Sequence, residues 1–270
     1  MESVRLFSDI EKLINNKIFG KPKIINSSIN FNGNNNILYC EDNVELFNTN
    51  INFNGEYSLI YLSSSKTKYS LNIMISNGST VFIGKDNKMV PPIYINVQEN
   101  QNVIIGDDCS IGSNVQIRTA DAHPIYCSCD KRRINFSKSV YIGDHVCIGH
   151  MAYISKGVEV GSGAIIDNNS FVSSNTKIKS NTLNMGNPSK VIREDVFFLN
   201  EYVGLYNAEE TLNSEYYKSN VFNYEVINKE TLNMNRIDEI LKDLNIGERL
   251  EFIKKLFVEN KRKNRFSLKY

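Results

Sequence analysis

The chain has 270 residues, with 31 Lys and Arg against 30 Asp and Glu and a formal net charge of +1. So even a balance implies no nucleic-acid partner through bulk charge. No stretch approaches the roughly 20 apolar residues that span a bilayer, and the length fits one large domain or two small ones.

The N-terminal MESVRLFSDIEKLINN carries acidic residues and no apolar run. It is not read as a signal peptide, so the chain is expected in the cytoplasm. Val4, Leu6, Phe7, Ile10, Leu13 and Ile14 give it an apolar side. Residues 3–16 are therefore predicted as a short amphipathic helix within an N-terminal helical segment, 1–22.

Residues 23–100 are strand-rich: KIINSSINF, NNILYC, VELFNT, SLIYL, YSLNIMI, STVFIG and PIYINV, separated by Asn, Gly and Ser clusters. They do not phase to a fixed period. They read as irregular coils of one solenoid or as a separate small β-domain, with Pro91-Pro92 at a bend or boundary. The abundant asparagine suits tight corners, because Asn accepts the left-handed backbone conformation.

Residues 103–186 repeat every six residues. Ile105, Ile111 and Ile117 begin three units, and Ile142, Ile148, Ile154, Val160, Ile166, Val172 and Ile178 begin seven more. A period of six fits neither a helix nor an ordinary strand. It fits a parallel β-helix with three hexapeptides per coil. The pattern breaks after Ile117, where His123 takes the next aliphatic slot, and resumes at Phe136 and Ile142. Residues 123–135 are thus predicted as a loop leaving a corner of the coil with a histidine at its root. Long excursions from a regular scaffold are usually functional.

Asn187-Pro188 ends the repeat. Residues 196–270 form an aromatic, helical extension. In it Ile237, Ile240, Leu241, Leu244 and Leu250, Ile253, Leu256, Phe257 follow helical spacing on either side of Gly247, with Asn235 and Asn245 as N-caps. The basic tail KRKNRFSLKY reads as a solvated helix end or, more sharply, as a weak contact with an anionic polymer or membrane surface. Five cysteines at irregular spacing make no disulfide framework, and cytosolic cysteines are normally reduced.

The stretches IGSNVQIRTADAHPIY, RINFSKSVYIGDHVCIG and GNPSKVIRE resemble the hexapeptide-repeat acyltransferases. Within them the chain is most similar to bacterial O-acetyltransferases of capsular and other surface polysaccharides. The resemblance is strong over about 100–195, weaker over 30–100 and absent after about 200. It implies an all-β fold, a left-handed parallel β-helix over 23–195, and a homotrimer with active sites between subunits. It implies acetyl-CoA as co-substrate, a polysaccharide or sugar acceptor, and no metal.

An alcohol is a weak nucleophile at neutral pH, and a histidine, titrating near about 6.5 when free, suits the base that activates it. The chain has three histidines, His123, His145 and His150. His123 matches the family's general base. Asp121, two residues earlier at a core-facing or corner position, is a candidate to orient it. For the cofactor the matching positions are Gly149, His150, Asn168, Ser173, Lys190 and Arg193, the last two as cations for phosphates. Backbone N–H groups near Gly149 are expected to hold the oxyanion. Tyr126, Lys131 and Arg132 in the loop, and Cys147, are assigned to the acceptor side. Two departures stand out. Cys147 replaces the family's usual Trp, in a chain with no Trp, and Asp167-Asn168-Asn169 replaces Gly-Ala-Gly.

Three alternatives remain at this stage. An amino-sugar N-acetyltransferase would use the same base, but residues 1–60 show no glycine-rich loop after a strand. A γ-carbonic-anhydrase-like zinc protein would use His150, but Ser155 stands where that family needs its next histidine. An inactive β-helix scaffold is the third.

Overall fold

Aliphatic residues six apart place one side chain inward on each side of a triangular coil. All ten positions from Ile105 to Ile178 named above are at most 2% exposed. The fold is a left-handed parallel β-helix with a helical C-terminal extension, in a computed structural model that describes residues 1–269. Tyr270, the last residue of the basic tail, lies outside the described residues.

Each coil visits three faces in turn. The first face stacks Ser28–Phe31, Asn50–Phe53, Leu71–Ile75, Ile93–Val97, Val115–Arg118, Tyr153–Ile154 and Phe171–Val172. The second runs from Lys17–Phe19 to Lys177–Ile178, and the third from Lys88–Met89 to Leu183–Met185. The strands of residues 23–100 thus belong to the same stack, and no separate β-domain exists there. Pro91-Pro92 is a corner between the third and first faces.

Parallel registers explain why that half hides its period. Early coils pair residues 22 apart, as in Ile51 with Ile73 and Ile95 with Ile117. Late coils pair residues 18 apart, as in Ile148 with Ile166. The early strands run to four or five residues, whereas Ile165–Ile166 has two. Longer sides dilute the hexapeptide pattern without changing the triangle. The coil carrying the excursion takes 37 residues, from Ile105 to Ile142.

The N-terminal segment departs from the helix expected over 3–16. It folds as a strand, Glu2–Val4, a 3-10 helix, Phe7–Lys12, and a strand, Lys17–Phe19, already in the stack. Glu2–Val4 pairs antiparallel with Ile29–Phe31, and fully buried Val4 closes the open end of the core. Pairing with an available sheet edge outweighs a weak helical periodicity. Phe136 also departs from expectation. It is 59% exposed, while its neighbours Asn135 and Ser137 turn inward.

Among the described residues three α-helices follow the solenoid: α1 (Ala208–Asn213), α2 (Met234–Asp243) and α3 (Ile246–Ile253), the last running on into a π-helical turn, Lys254–Val258. Asn245 caps α3 as expected, whereas α2 is capped by Asn233 rather than Asn235. Ile237, Leu241, Leu250, Ile253 and Phe257 pack on Tyr61, Phe82, Ile104 and Tyr141 of the second face. Each fully buried side chain of this size contributes about 1.5–3 kcal/mol. Asp238 accepts from Tyr141 (2.6 Å), Ser139 (2.7 Å) and Asn102 (2.8 Å), and the Arg249 guanidinium donates to the carbonyls of Gly78 and Tyr57. The tail is only partly solvated, with Lys261, Arg262, Lys263 and Lys269 exposed. Asn264, Arg265, Phe266 and Ser267 are buried, and Arg265 meets Asp144 at 2.6 Å and Asp107 at 3.0 Å. A guanidinium sits beside an aromatic ring there because two carboxylates and two carbonyls satisfy it. Among the described residues no helix is long and apolar enough to cross a membrane.

Candidate active site

The three histidines occupy three different corners of the triangle. His123 lies in the excursion between the first and second faces, His145 between the second and third, and His150 between the third and first. Their surroundings differ accordingly. His145 is buried, with Asp108 Oδ2 at 2.8 Å from Nδ1 and the Phe198 carbonyl at 2.9 Å from Nε2. Its ring is sandwiched between Phe198 and Phe222, so it is a structural clamp. His150 is exposed, and its Nδ1 accepts from the Ser113 backbone N–H at 2.9 Å. That bond leaves Nε2 as the ring's N–H in the neutral form. His123 is exposed, and its ring makes no hydrogen bond among the described residues.

The excursion is a hairpin. Ile134 N–H donates to the Ile125 carbonyl (2.9 Å), Cys127 N–H to Arg132 (2.8 Å), and Lys131 N–H back to Cys127 (3.0 Å). Buried Asn135 ties its root. The Asn135 amide donates to the His123 carbonyl and to Asp121 Oδ2, both at 2.8 Å, and its Oδ1 accepts from Ile125 N–H at 2.7 Å. Asp121 therefore does not orient the His123 ring. It is exposed, and its carboxylate takes the Lys156 ammonium, which, with help from Asn135, holds the carboxyl below its usual range. The hairpin is also fastened upward. Arg133 forks onto Glu99 at 2.7 and 2.9 Å and lies over the Phe136 ring. Arg133 and the Ser137 hydroxyl together hold the Glu99 carboxyl at about 2. Asn135, Lys156 and Glu99 carry no motif, and only the tertiary contacts reveal them.

At the hairpin tip Cys127 and Cys129 are joined in a disulfide, contrary to the expectation of reduced thiols. The turn brings their Cα atoms to 5.5 Å, which suits a bridge. Tyr126, Lys131 and Arg132 are all exposed on this hairpin, and Arg132 is loosely paired with Asp130.

The expected cofactor positions divide between places. Gly149, His150 and Asn168 stack on the third–first corner, where Asn168 Oδ1 accepts from His150 N–H at 2.8 Å. Gly149 is tight against the next coil, since a Cβ there would meet the Asn168 nitrogen at 2.5 Å. The Gly149 N–H donates to the Ile166 carbonyl at 2.7 Å, so it is not available for an oxyanion. Ser173 follows the strand Phe171–Val172, on the first–second corner. Lys190 and Arg193 stand exposed on a terminal strand, Lys190–Arg193, that turns back antiparallel on Leu183–Met185. Cys147 lies in the strand Cys147–Ile148 of the third face, and burial pushes its thiol up. One chain thus does not gather His123 with Gly149, His150 and Cys147.

Residues 102–117 and 139–174 match the family described as the hexapeptide repeat of succinyl-transferase. The chain is 44% identical over 50 residues to a polysialic acid O-acetyltransferase of Neisseria meningitidis. It is 38% identical over 91 residues to one of Escherichia coli O1:K1 / APEC. Those alignments cover 18% and 34% of this chain, and 23% and 29% of the curated relatives' own lengths. Among solved structures it resembles the polySia-specific acetyltransferase NeuO. The identity is 34%, with a TM-score of 0.63, over 69% of this chain and 86% of that one.

Proposed function

Since the chain belongs to the hexapeptide-repeat acyltransferases, in company with the polysialic acid O-acetyltransferases, we propose that it acetylates a hydroxyl of an acidic bacterial surface polysaccharide. Acetyl-CoA is the donor in this reading. The observation that carries it is His123, free-standing at the root of a hairpin in a chain that resembles acetyltransferases of such a polymer.

His123 takes the proton of a sugar hydroxyl, and the oxygen attacks the thioester carbonyl. The C–S bond breaks as the ester C–O bond forms, and the histidine returns its proton to the departing thiolate. No acyl-enzyme is needed, in keeping with a Cys147 thiol that burial disfavours from ionising. Gly149, His150, Asn168 and Ser173 line the pantetheine path, with Lys190 and Arg193 toward the phosphates. Tyr126, Lys131, Arg132 and Cys147 face the acceptor. Because one chain sets His123 and His150 on different corners, we assign the site to a homotrimer, in which one subunit's corner meets another's.

The test is thiol release from acetyl-CoA with acidic capsular polysaccharides and amino-sugar nucleotides as acceptors, for wild type and His123→Ala. Turnover on a polysaccharide that vanishes in the variant is the expected result. Turnover on amino sugars alone replaces the reading with an N-acetyltransferase, and turnover that survives the substitution removes His123 from the mechanism.

A further inference from the structure

Arg118 is the last residue of the first-face strand Val115–Arg118, five residues before His123. Arg133, Arg236 and Arg265 each meet a carboxylate. Arg118 makes no ion pair within 4 Å among the described residues, though its charge reaches the nearby Asp121 carboxylate, whose oxygen is taken by Lys156. The single hydrogen bond of Arg118 runs from Nη1 to the Tyr153 hydroxyl at 3.3 Å, its Nε is buried without a partner, and Nη2 has none either. Asn96, its register partner on the neighbouring strand, has a buried Oδ1 that also lacks a donor. Beside them Tyr153 stacks on Phe171 at 5.3 Å, which holds the hydroxyl in place, and Tyr94 is 43% exposed on the same face.

A buried Nε and a buried amide oxygen left unsatisfied are costly, and Nη2 beside them has no protein partner among the described residues and can take one from a ligand. We propose that Arg118 and Tyr153 form a carboxylate subsite that reads the acid group of the acceptor polymer on the first face. Tyr94, exposed on the same face, offers an aromatic ring to the apolar side of a neighbouring sugar. The second face is closed by α2 and α3, so the polymer has the first face open to it from Tyr94 to the loop root. This inference rests on the acceptor reading above and narrows it, since a neutral polysaccharide would gain nothing from Arg118.

The experiment compares polysialic acid with the same polymer carrying methyl-esterified carboxyls, for wild type, Arg118→Gln, Tyr153→Phe and His123→Ala. Both kcat/KM and polymer binding by titration are read. Wild type is expected to prefer the free acid by about tenfold or more, the scale of one charge-assisted hydrogen bond. Arg118→Gln should treat both polymers alike, through KM and not kcat, with the KM for acetyl-CoA unchanged. Tyr153→Phe should lose about threefold on the acid alone. His123→Ala should bind the acid as wild type does without turning it over. An Arg118→Gln protein that still prefers the acid overturns the subsite while leaving the acceptor reading intact. A wild type that neither binds nor acetylates the acid overturns both.

Discussion

The His145 ring lies flat on Phe198, with centroids 4.2 Å apart, while its Nε2 sits 2.9 Å from that residue's own carbonyl. Phe222 covers the opposite face at 4.0 Å. The stretch 199–221 therefore leaves and returns at one side chain, a buried corner residue of the solenoid. It carries α1 and the exposed Leu205, Leu212 and Tyr216. Removing the ring takes away the stacking and both hydrogen bonds. His145→Ala should cost about 2–4 kcal/mol. Limited proteolysis is expected to cut within 201–221 well before the solenoid. Equal cutting of wild type and variant would show that the clamp does not hold the arm.

Arg265 and Asp144 make the tightest tie between tail and solenoid, at 2.6 Å and with Arg265 2% exposed. Breaking a buried pair strands the surviving charges, here Asp144 and Asp107. Arg265→Met should lower stability by about 3–5 kcal/mol in urea unfolding. A change under about 1 kcal/mol would mean that water already screens the pair.

Glu99 sets a pH dependence for the loop. Its folded value, about 2, lies below the ordinary 4.5, held there by Arg133 and Ser137. A depressed carboxyl stabilises fully above its unfolded value and progressively less as pH falls toward the folded one. Hydrogen exchange in 119–139 should therefore be flat above about pH 5 and rise on acidification toward 2, relative to the coils. Glu99→Gln should show the raised exchange already at neutral pH. A loop whose protection ignores both pH and the substitution is fastened by something else.

Gly149 leaves no room for a side chain, since its Cβ would strike the Asn168 nitrogen. Gly149→Ala must push two coils apart, at about 1–3 kcal/mol by the usual cost of overpacking. Because His150 and Asn168 move with that corner, the KM for acetyl-CoA should rise more than that for the polymer. A rise confined to the polymer would move the cofactor path elsewhere.

His123→Ala should lower kcat by about 10²–10⁴ with little change in either KM, as expected for loss of a general base. Asn135→Ala, which unties the loop root without touching the ring, should show a smaller loss of kcat. Equal losses would mean that the ring acts mainly by holding the loop.

The hexapeptide period made the solenoid legible because each inward residue meets the same requirement, a small triangular interior that only an aliphatic side chain fills. The early coils were less legible, since sides of varying length shift the phase while keeping the triangle. Local pattern failed at the two ends. Val4 caps a core end and Arg265 is buried, yet Val4 looks helical and Arg265 solvated when neighbours in sequence are the only guide. His123 stood out because it interrupts a period. Asn135, Lys156, Glu99 and Arg118 did not, because each is an ordinary polar residue whose meaning depends on a partner 14 to 35 residues away.

By itself, then, the sequence determined the coil, its three-sided cross-section and the corner from which His123 departs. All three follow from one-dimensional spacing and from the burial of apolar side chains. Only the tertiary structure decided which face the extension covers, which corner each histidine takes, and that the Arg118 guanidinium stands beside the Tyr153 hydroxyl on the first face. Those are matters of which distant residues meet, and a period carries no information about them.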